Sequence, residues 1–241
     1  MTDAAFVIDF ETTDKEPEKA APVEMALVGV HDTTYLCNLI DPGIPIPPET
    51  SAIHHIIDED VQDKDDWDTI QDDLVDIIQL AYKKSQKPVT LIAHNASYEQ
   101  GILAKTDFGA PVQWVCTYKC ALTVWPDAPG FSNECLRYWL RLPERGRAHM
   151  QGTHTALHDC NVTLGIFYSL CALRTIEEMV TISSKPAQYP RIMFGKYRNS
   201  PWASVPADYL KWILKQQDMD EGVIYCAEHE LARRRGTNDA N

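Results

Sequence analysis

The first forty residues alternate between apolar, β-favouring runs and short polar breaks. The run at 5–11 contains Phe6, Val7 and Ile8, and two further runs cover 23–30 and 34–40. These runs predict three strands, and the short break at 31–33 predicts a tight connection between the second and the third. We therefore expect the chain to begin as a three-stranded antiparallel sheet.

The middle of the chain alternates between helical and strand patterns. Apolar side chains recur 4, 7, 8 and 11 positions after Ile70, which is the spacing of one helix face. The other predicted elements are strands at 89–93 and 113–116 and helices at 97–105, 118–124, 132–141 and 155–173. Strands followed by alternating helices and strands predict an α/β fold with a mixed β-sheet flanked by helices.

A domain boundary is predicted where the helical pattern breaks at two prolines near residue 183. Residues 1–182 would form the main domain, and residues 183–241 a small C-terminal module with a hairpin near 194–198 and a helix at 207–217. The module contains enough aromatic side chains for a small core. Lys196 and Arg198 lie on the predicted hairpin and can contact phosphate, and a protein-docking role has equal standing.

Two carboxylates stand out in the first strand. Asp9 and Glu11 lie two positions apart, so on a strand they project from the same face. Adjacent buried carboxylates repel each other unless a cation neutralises them. Hard divalent cations such as Mg²⁺ and Mn²⁺ bind carboxylate oxygens readily, so the pair is a candidate metal site.

Two later segments also carry candidate chemistry. Glu99 lies in the first turn of the predicted helix after the 89–93 strand, where it is either a helix-stabilising charge or a metal ligand. His154 and Asp159 open the long helix and can face one cleft. The alternative there is a zinc site, whose ligands would be His149, His154, His158 and Cys160.

Together the three segments resemble the DEDD superfamily of 3′–5′ exonucleases, in its histidine-containing (DEDDh) branch. The resemblance rests on Asp-Phe-Glu-Thr-Thr from residue 9, on His-Asn-Ala-Ser-Tyr-Glu from residue 94, and on His-Thr-Ala-Leu-His-Asp from residue 154, and it covers roughly 4–175. It implies an RNase H-like fold.

The resemblance also implies a two-metal mechanism that releases nucleoside 5′-monophosphates. Two Mg²⁺ or Mn²⁺ ions would clamp the attacking and leaving oxygens, and a histidine of suitable pKa would act as general base. The implied metal ligands are Asp9, Glu11, Glu99 and Asp159, and the implied base is His154. The implied substrate contacts are Phe10, Thr12, Ile53, His54, Asn95 and Tyr98.

One residue departs from the family pattern. Glu99 occupies the position where the family usually has Asp, and it is one methylene longer. Because Mg²⁺ demands near-ideal geometry, we expect an active enzyme that is slower or more dependent on Mn²⁺. The alternatives are an RNA-trimming exonuclease of the same branch and a catalytically inactive member that binds nucleic acid or a protein.

The expected partner is the 3′ end of DNA, either single-stranded or duplex, and the charge of the protein bears on this expectation. The net charge is −13, which opposes phosphate contacts. Residues 58–76 contain ten acids against one lysine, whereas the basic residues cluster at 137–147, 196–198 and 233–235. The net charge therefore weakens the hypothesis that the protein binds nucleic acid without excluding it. RNA remains an alternative substrate to DNA.

Cysteine usage and hydropathy bear on the compartment. The seven cysteines are scattered and include no Cys-x-x-Cys pair, which is typical of a reduced, cytoplasmic protein. No apolar run reaches the roughly 18–20 residues of a membrane span, and the N-terminus lacks the pattern of a signal peptide. We expect a cytoplasmic protein with no membrane partner; protein partners are not indicated.

Overall fold

The computed structural model describes residues 4–30, 33–142 and 155–238. Its five strands form one sheet. They are β1 (Ala5–Thr12), β2 (Pro22–Gly29), β3 (Thr33–Leu39), β4 (Val89–Ala93) and β5 (Val112–Cys116). The three predicted N-terminal strands and the two later ones are confirmed, with boundaries shifted by one residue at most.

The sheet is mixed, with the strand order β3-β2-β1-β4-β5. β1 pairs antiparallel with β2 and β2 antiparallel with β3, whereas β1 pairs parallel with β4 and β4 parallel with β5. The carboxyl ends of β1, β4 and β5 therefore lie at one edge of the sheet. Side chains that follow these ends are brought together there.

Both faces of the sheet are covered, and strand alternation decides which side chain goes to which face. Phe6, Ile8 and Phe10 of β1 belong to the core that packs on the long helix at Trp67–Ser85. Ala5 and Val7 belong to the opposite core, which packs on the helix at Ala156–Cys171. Because the period of a strand is two, Asp9 and Glu11 follow Ala5 and Val7 onto this second face.

The helices differ from the sequence prediction mainly in number. They are α1 (Pro48–His54), α2 (Asp58–Val61), α3 (Trp67–Ser85), α4 (Ser97–Ile102), α5 (Thr117–Val124), α6 (Asn133–Trp139), α7 (Ala156–Cys171), α8 (Ile176–Ser183), α9 (Ala207–Ile213) and α10 (Glu221–Asn238). The prediction missed α1, α2, α8 and α10. A signal for α8 was present, because Thr175 and Glu178 form a capping box.

The C-terminal segment has a hydrophobic cluster of its own. Its buried members include Ile192, Trp202, Leu210, Ile213 and Ala227. The predicted hairpin is a short loop closed by one antiparallel bridge between Arg191 and Pro201, with a 3₁₀ turn at its tip and no extended strands. The helix predicted at 207–217 ends earlier, at Ile213, and α10 follows.

The helices are short or polar relative to the apolar core of a bilayer. Within the described ranges, no single helix is long and apolar enough to cross a membrane. α7 and α8 meet that criterion only as a pair, and the pair is bent by 114°.

Candidate active site

Three carboxylates meet at the carboxyl end of β1. Asp9 and Glu11 project from the α7 face of the sheet, and Asp159 lies in the first turn of α7. One carboxylate oxygen from each residue lies within 4.8 Å of the other two. All three side chains are half-buried, so the cluster opens to solvent without being fully exposed.

The start of α7 is held in place from the sheet. Thr155 caps the helix by accepting a hydrogen bond from the His158 amide, and the buried Glu24 of β2 accepts one from the Ala156 amide at 2.8 Å. Glu24 lies directly across the β1–β2 ladder from Glu11. The strand pair therefore positions both the first carboxylates and the helix that carries Asp159.

Glu99 approaches the cluster from the next parallel strand. It lies in the first turn of α4, four residues after Asn95, whose φ of +68° is left-handed, and Glu99 is only 4% exposed. Within the described residues, its Oε2 atom has no hydrogen-bond partner. An unpartnered buried carboxylate oxygen is costly, so the site requires either a proton or a cation.

The pKa values of the clustered carboxylates also indicate that the site requires either protons or a cation. Burial, followed by the charges of Glu99 and Asp159, raises the pKa of Asp9 well above its usual range. Burial also raises the pKa of Glu11 to about 8, with Asp159 and Glu24 adding to the rise, and the pKa of Glu99 to about 8. In the absence of a cation Glu11 and Glu99 therefore retain protons at neutral pH.

These observations fit a divalent metal centre. The donors are all carboxylate oxygens, which hard cations prefer, and one of them is buried without a partner. A bound cation would neutralise the repulsion that raises the pKa values. Asp9, Glu11 and Asp159 can hold a metal together, and Glu99 is placed to contribute because its charge acts directly on Asp9.

The described members of the alternative zinc site point in different directions. His158 Nε2 lies 3.0 Å from Glu134 Oε1, whereas the Cys160 thiol is buried and lies 3.5 Å from the Ala26 carbonyl oxygen. No group of metal-ligating side chains found in the described chain contains Cys160. The other two predicted ligands, His149 and His154, lie outside the described residues, and with His154 so does the predicted general base.

Of the predicted substrate contacts, Phe10 lies on the face opposite Asp9 and Glu11. It is 5% exposed and packs edge-on against Trp67, with ring centroids 5.6 Å apart. Thr12 and Tyr98, by contrast, form a short hydrogen bond between their hydroxyls at the end of β1. The pKa of Tyr98 is raised by burial, and the charges of Glu99 and Glu11 add to the rise, which places Tyr98 beside the carboxylates.

Ile53 and His54 lie together at the end of α1 but differ in exposure. Ile53 is 56% exposed, whereas His54 is buried. His54 Nδ1 accepts a hydrogen bond from the Ile56 amide. Within the described chain, Nε2 of His54 has no hydrogen-bond partner of good geometry. Burial lowers the pKa of His54, and the nearby backbone of Thr12 partly offsets this effect. α1 thus reaches the end of β1.

The sequence analysis did not identify three residues that hold the elements around the site in place. Glu24 was detectable as the one charge inside an apolar strand, but its place opposite Glu11 depends on the strand register. The Glu134 carboxylate accepts a hydrogen bond from the Arg137 guanidinium and forms another with His158 Nε2. His94 bonds the Thr117 hydroxyl and the Phe131 carbonyl, and burial lowers its pKa to about 4, so it is neutral.

Comparison with known proteins identifies the family. Residues 6–167 match a family model described as an exonuclease. Exodeoxyribonuclease 10 of Escherichia coli strain K12 is 30% identical over 220 residues, which cover 88% of this chain and 91% of that protein.

Solved structures share the fold. A structure of exonuclease X in complex with 5′-overhanging duplex DNA matches with a TM-score of 0.58 and 29% identity, over 74% of this chain and 99% of that one. The nuclease domain of 3′hExo, a DEDDh family member bound to rAMP, matches with a TM-score of 0.56 and 16% identity, over 71% of this chain and 92% of that one. The chain therefore belongs to the exonuclease family and is a 3′–5′ exonuclease, a phosphodiester hydrolase.

Proposed function

We propose that this chain removes nucleotides from the 3′ ends of DNA and releases nucleoside 5′-monophosphates. The observation that carries the proposal is the meeting of Asp9, Glu11 and Asp159 within 4.8 Å, beside the buried and unpartnered Glu99. The relatives named for DNA support DNA as the substrate, since one is an exodeoxyribonuclease and another binds a 5′-overhanging duplex. A 5′ overhang leaves a recessed 3′ end.

Asp9, Glu11, Glu99 and Asp159 are the proposed ligands of two Mg²⁺ or Mn²⁺ ions. When bound, such ions activate water and stabilise the charge that develops on the leaving oxygen of an in-line phosphoryl displacement. The protein's own contribution is to hold four carboxylates at one sheet edge. Hydrolysis adds water to phosphorus, breaks the bond from phosphorus to the 3′ oxygen, and transfers a proton to that oxygen.

His154 is the proposed general base that accepts the proton of the attacking water. Its candidacy rests on the sequence, because it directly precedes Thr155, the residue that caps α7. An ordinary imidazole has a pKa near 6.5, which suits proton transfer near neutral pH. A His154→Ala variant should therefore retain metal binding while losing most of its hydrolytic rate.

The proposed substrate contacts lie on β1, in the segment directly after β4 and at the end of α1. Thr12 and Tyr98 are placed beside the carboxylates by their shared hydrogen bond, and Asn95 holds the left-handed turn before α4. Ile53 offers an exposed apolar side chain to the terminal nucleotide, and the next residue, His54, is buried. Phe10 supports this end of β1 from the core.

The domain division proposed from the sequence has structural support. α8 ends at Ser183, and most of the separate C-terminal cluster lies between Ile192 and Ala227. We propose residues 1–182 as the exonuclease domain and 183–241 as a module that contacts DNA or docks a protein.

The test is an assay with 5′-labelled and 3′-labelled single-stranded DNA in Mg²⁺, Mn²⁺ or EDTA, beside a matched RNA. Stepwise shortening of the 5′-labelled DNA, absent in EDTA and in Asp9→Ala, is the expected result. Faster shortening of RNA would make the chain an exoribonuclease. Binding without cleavage in either metal would make it an inactive member.

A further inference from the structure

The C-terminal module presents three aromatic rings in a continuous array. Tyr197 packs edge-on against Tyr209 with ring centroids 4.7 Å apart, and Tyr209 lies against Trp212 at 5.1 Å with the ring planes inclined by 30°. Exposure increases along the array: the two tyrosines are half-buried against the core of the module, and Trp212 is 45% exposed. The array therefore ends in an open indole face.

The backbone is adapted to this array at Gly195. Its φ is +64°, a conformation that side chains rarely adopt, and a Cβ atom there would collide with the Tyr209 hydroxyl. The loop thus lies against the hydroxyl end of the Tyr209 side chain. The next residue, Lys196, extends its ammonium group over the Tyr197 ring, 5.5 Å from the centroid. A cation is in this way fixed beside the aromatic rings.

The charge of this segment is opposite to that of the whole protein. Residues 191–217 contain five Lys or Arg side chains and one acid, Asp208, in a protein of net charge −13. Within the described ranges, Lys196, Arg198 and Lys215 form no ion pair, and Lys211 meets Asp208 only at 3.9 Å with both side chains exposed. These cations are therefore available to an external anion.

The module joins the main domain at the sheet edge that carries the active site. Tyr189 interacts with Tyr118 in the first turn of α5, and Lys119 donates to the carbonyl oxygens of Ser183 and Lys185. α5 begins directly after β5, whose carboxyl end lies beside those of β4 and β1. A strand held by the module can thus approach the edge at which the carboxylates meet.

From these observations we infer that Lys196, Tyr197, Tyr209 and Trp212 form an aromatic–basic face that binds unpaired nucleotides of single-stranded DNA. Base stacking on aromatic rings is independent of sequence, and neighbouring cations follow the phosphates. An exonuclease needs such a grip on any sequence, so the inference builds on the proposed function. A double helix would offer its bases poorly, because they are already stacked on one another.

The experiment measures binding of the full chain to a fluorescein-labelled oligothymidylate of about 20 nucleotides by fluorescence anisotropy in EDTA. EDTA prevents hydrolysis and removes any metal-mediated contact between phosphate and the active-site carboxylates. The test variants are Trp212→Ala and Lys196→Gln. The matched controls are Tyr35→Ala, an aromatic side chain 48% exposed on the opposite edge strand β3, and Lys84→Gln, an exposed lysine of α3.

We expect Trp212→Ala to weaken affinity about tenfold, in line with about 1–3 kcal/mol for one stacked base, and Trp212→Phe to restore most of it. Lys196→Gln should reduce the slope of log affinity against log salt by about 0.7, the value for one phosphate contact on a single strand. Neither control should change the affinity. A blunt duplex should bind more weakly and respond less to Trp212→Ala.

Wild-type affinity in both test variants, with unchanged melting temperatures, would overturn the inference and assign the face to a protein partner or to packing of the module. An equal loss in the controls would overturn it as well, because the effect would then be non-specific. The proposed hydrolytic function is judged separately, by the loss of DNA shortening in Asp9→Ala. Failure of one does not imply failure of the other.

Discussion

Replacing Glu99 by Gln should stabilise the metal-free protein while abolishing its activity. Glu99 is 4% exposed, its Oε2 lacks a partner in the described chain, and burial raises its pKa from 4.5 to about 8. A glutamine has nearly the same shape, carries no charge, and can donate a hydrogen bond to the neighbouring Asp9. The variant therefore removes the unfavourable buried charge without leaving a cavity.

The magnitude follows from the linkage between protonation and folding. Above pH 4.5 the unfolded chain releases the proton of Glu99, whereas the folded chain retains it until about pH 8. The folded state binds more protons in this window, so the free energy of unfolding falls as pH rises from about 4.5 to about 8. A rise of this size in pKa corresponds to a ceiling of about 5 kcal/mol.

The expected gain is smaller than this ceiling, because burying the amide also costs about 1–3 kcal/mol. We expect Glu99→Gln to gain about 2–3 kcal/mol at pH 8.5 in EDTA, or about 5–10 °C in melting temperature for a protein of this size. At pH 5 most of the gain should vanish, because wild-type Glu99 then carries its proton in the folded state.

The assay is thermal denaturation in EDTA at pH 5 and pH 8.5, repeated with Mg²⁺. Added Mg²⁺ should raise the melting temperature of the wild type more than that of Glu99→Gln. Glu49→Gln, an exposed carboxyl on α1, is the matched control and should change neither. Destabilisation by Glu99→Gln, or an equal gain at both pH values, would refute the reasoning.

The same position also decides activity. Glu99→Asp, which shortens the side chain by one methylene and restores the residue usual in the family, should keep or raise the rate of DNA shortening. Glu99→Gln should abolish it, because the amide cannot supply a charged ligand. Full activity in the Gln variant would remove Glu99 from the metal site.

Three further predictions concern packing and electrostatics. Gly195→Ala should lower the melting temperature more than Gly43→Ala, because both have φ near +65° but only at Gly195 would a Cβ meet another atom within 4 Å; equal effects would mean that backbone strain alone matters. Two arginines hold the pKa of Glu230 at about 2, so that the stability it supplies is present above pH 4.5 and lost as pH falls towards 2. Urea unfolding of Glu230→Gln should lack this acid loss, which the exposed Glu228→Gln should retain. Glu24→Ala should cost about 1–3 kcal/mol in urea unfolding and slow DNA shortening, since the amide at the start of α7 loses its acceptor, and Glu24→Gln should rescue both.

Local patterns account for what the sequence determined. The apolar, β-favouring run of β1 and the apolar spacing after Ile70 each depend on a few neighbouring residues, so both elements were predicted within a few residues. The order of the three motifs identified the family and the carboxylates Asp9, Glu11 and Asp159. Helices with weaker local signals were missed, such as α10, whose buried side chains include small ones like Ala227.

The tertiary structure alone decided which side chains meet. Strand register placed Glu24 across from Glu11, and strand alternation sent Phe10 to the opposite core from Asp9. The rings of Tyr197 and Trp212, fifteen residues apart, became one array through Tyr209. Such contacts join segments distant in sequence, and they depend on how the elements pack, which no local pattern of residues encodes.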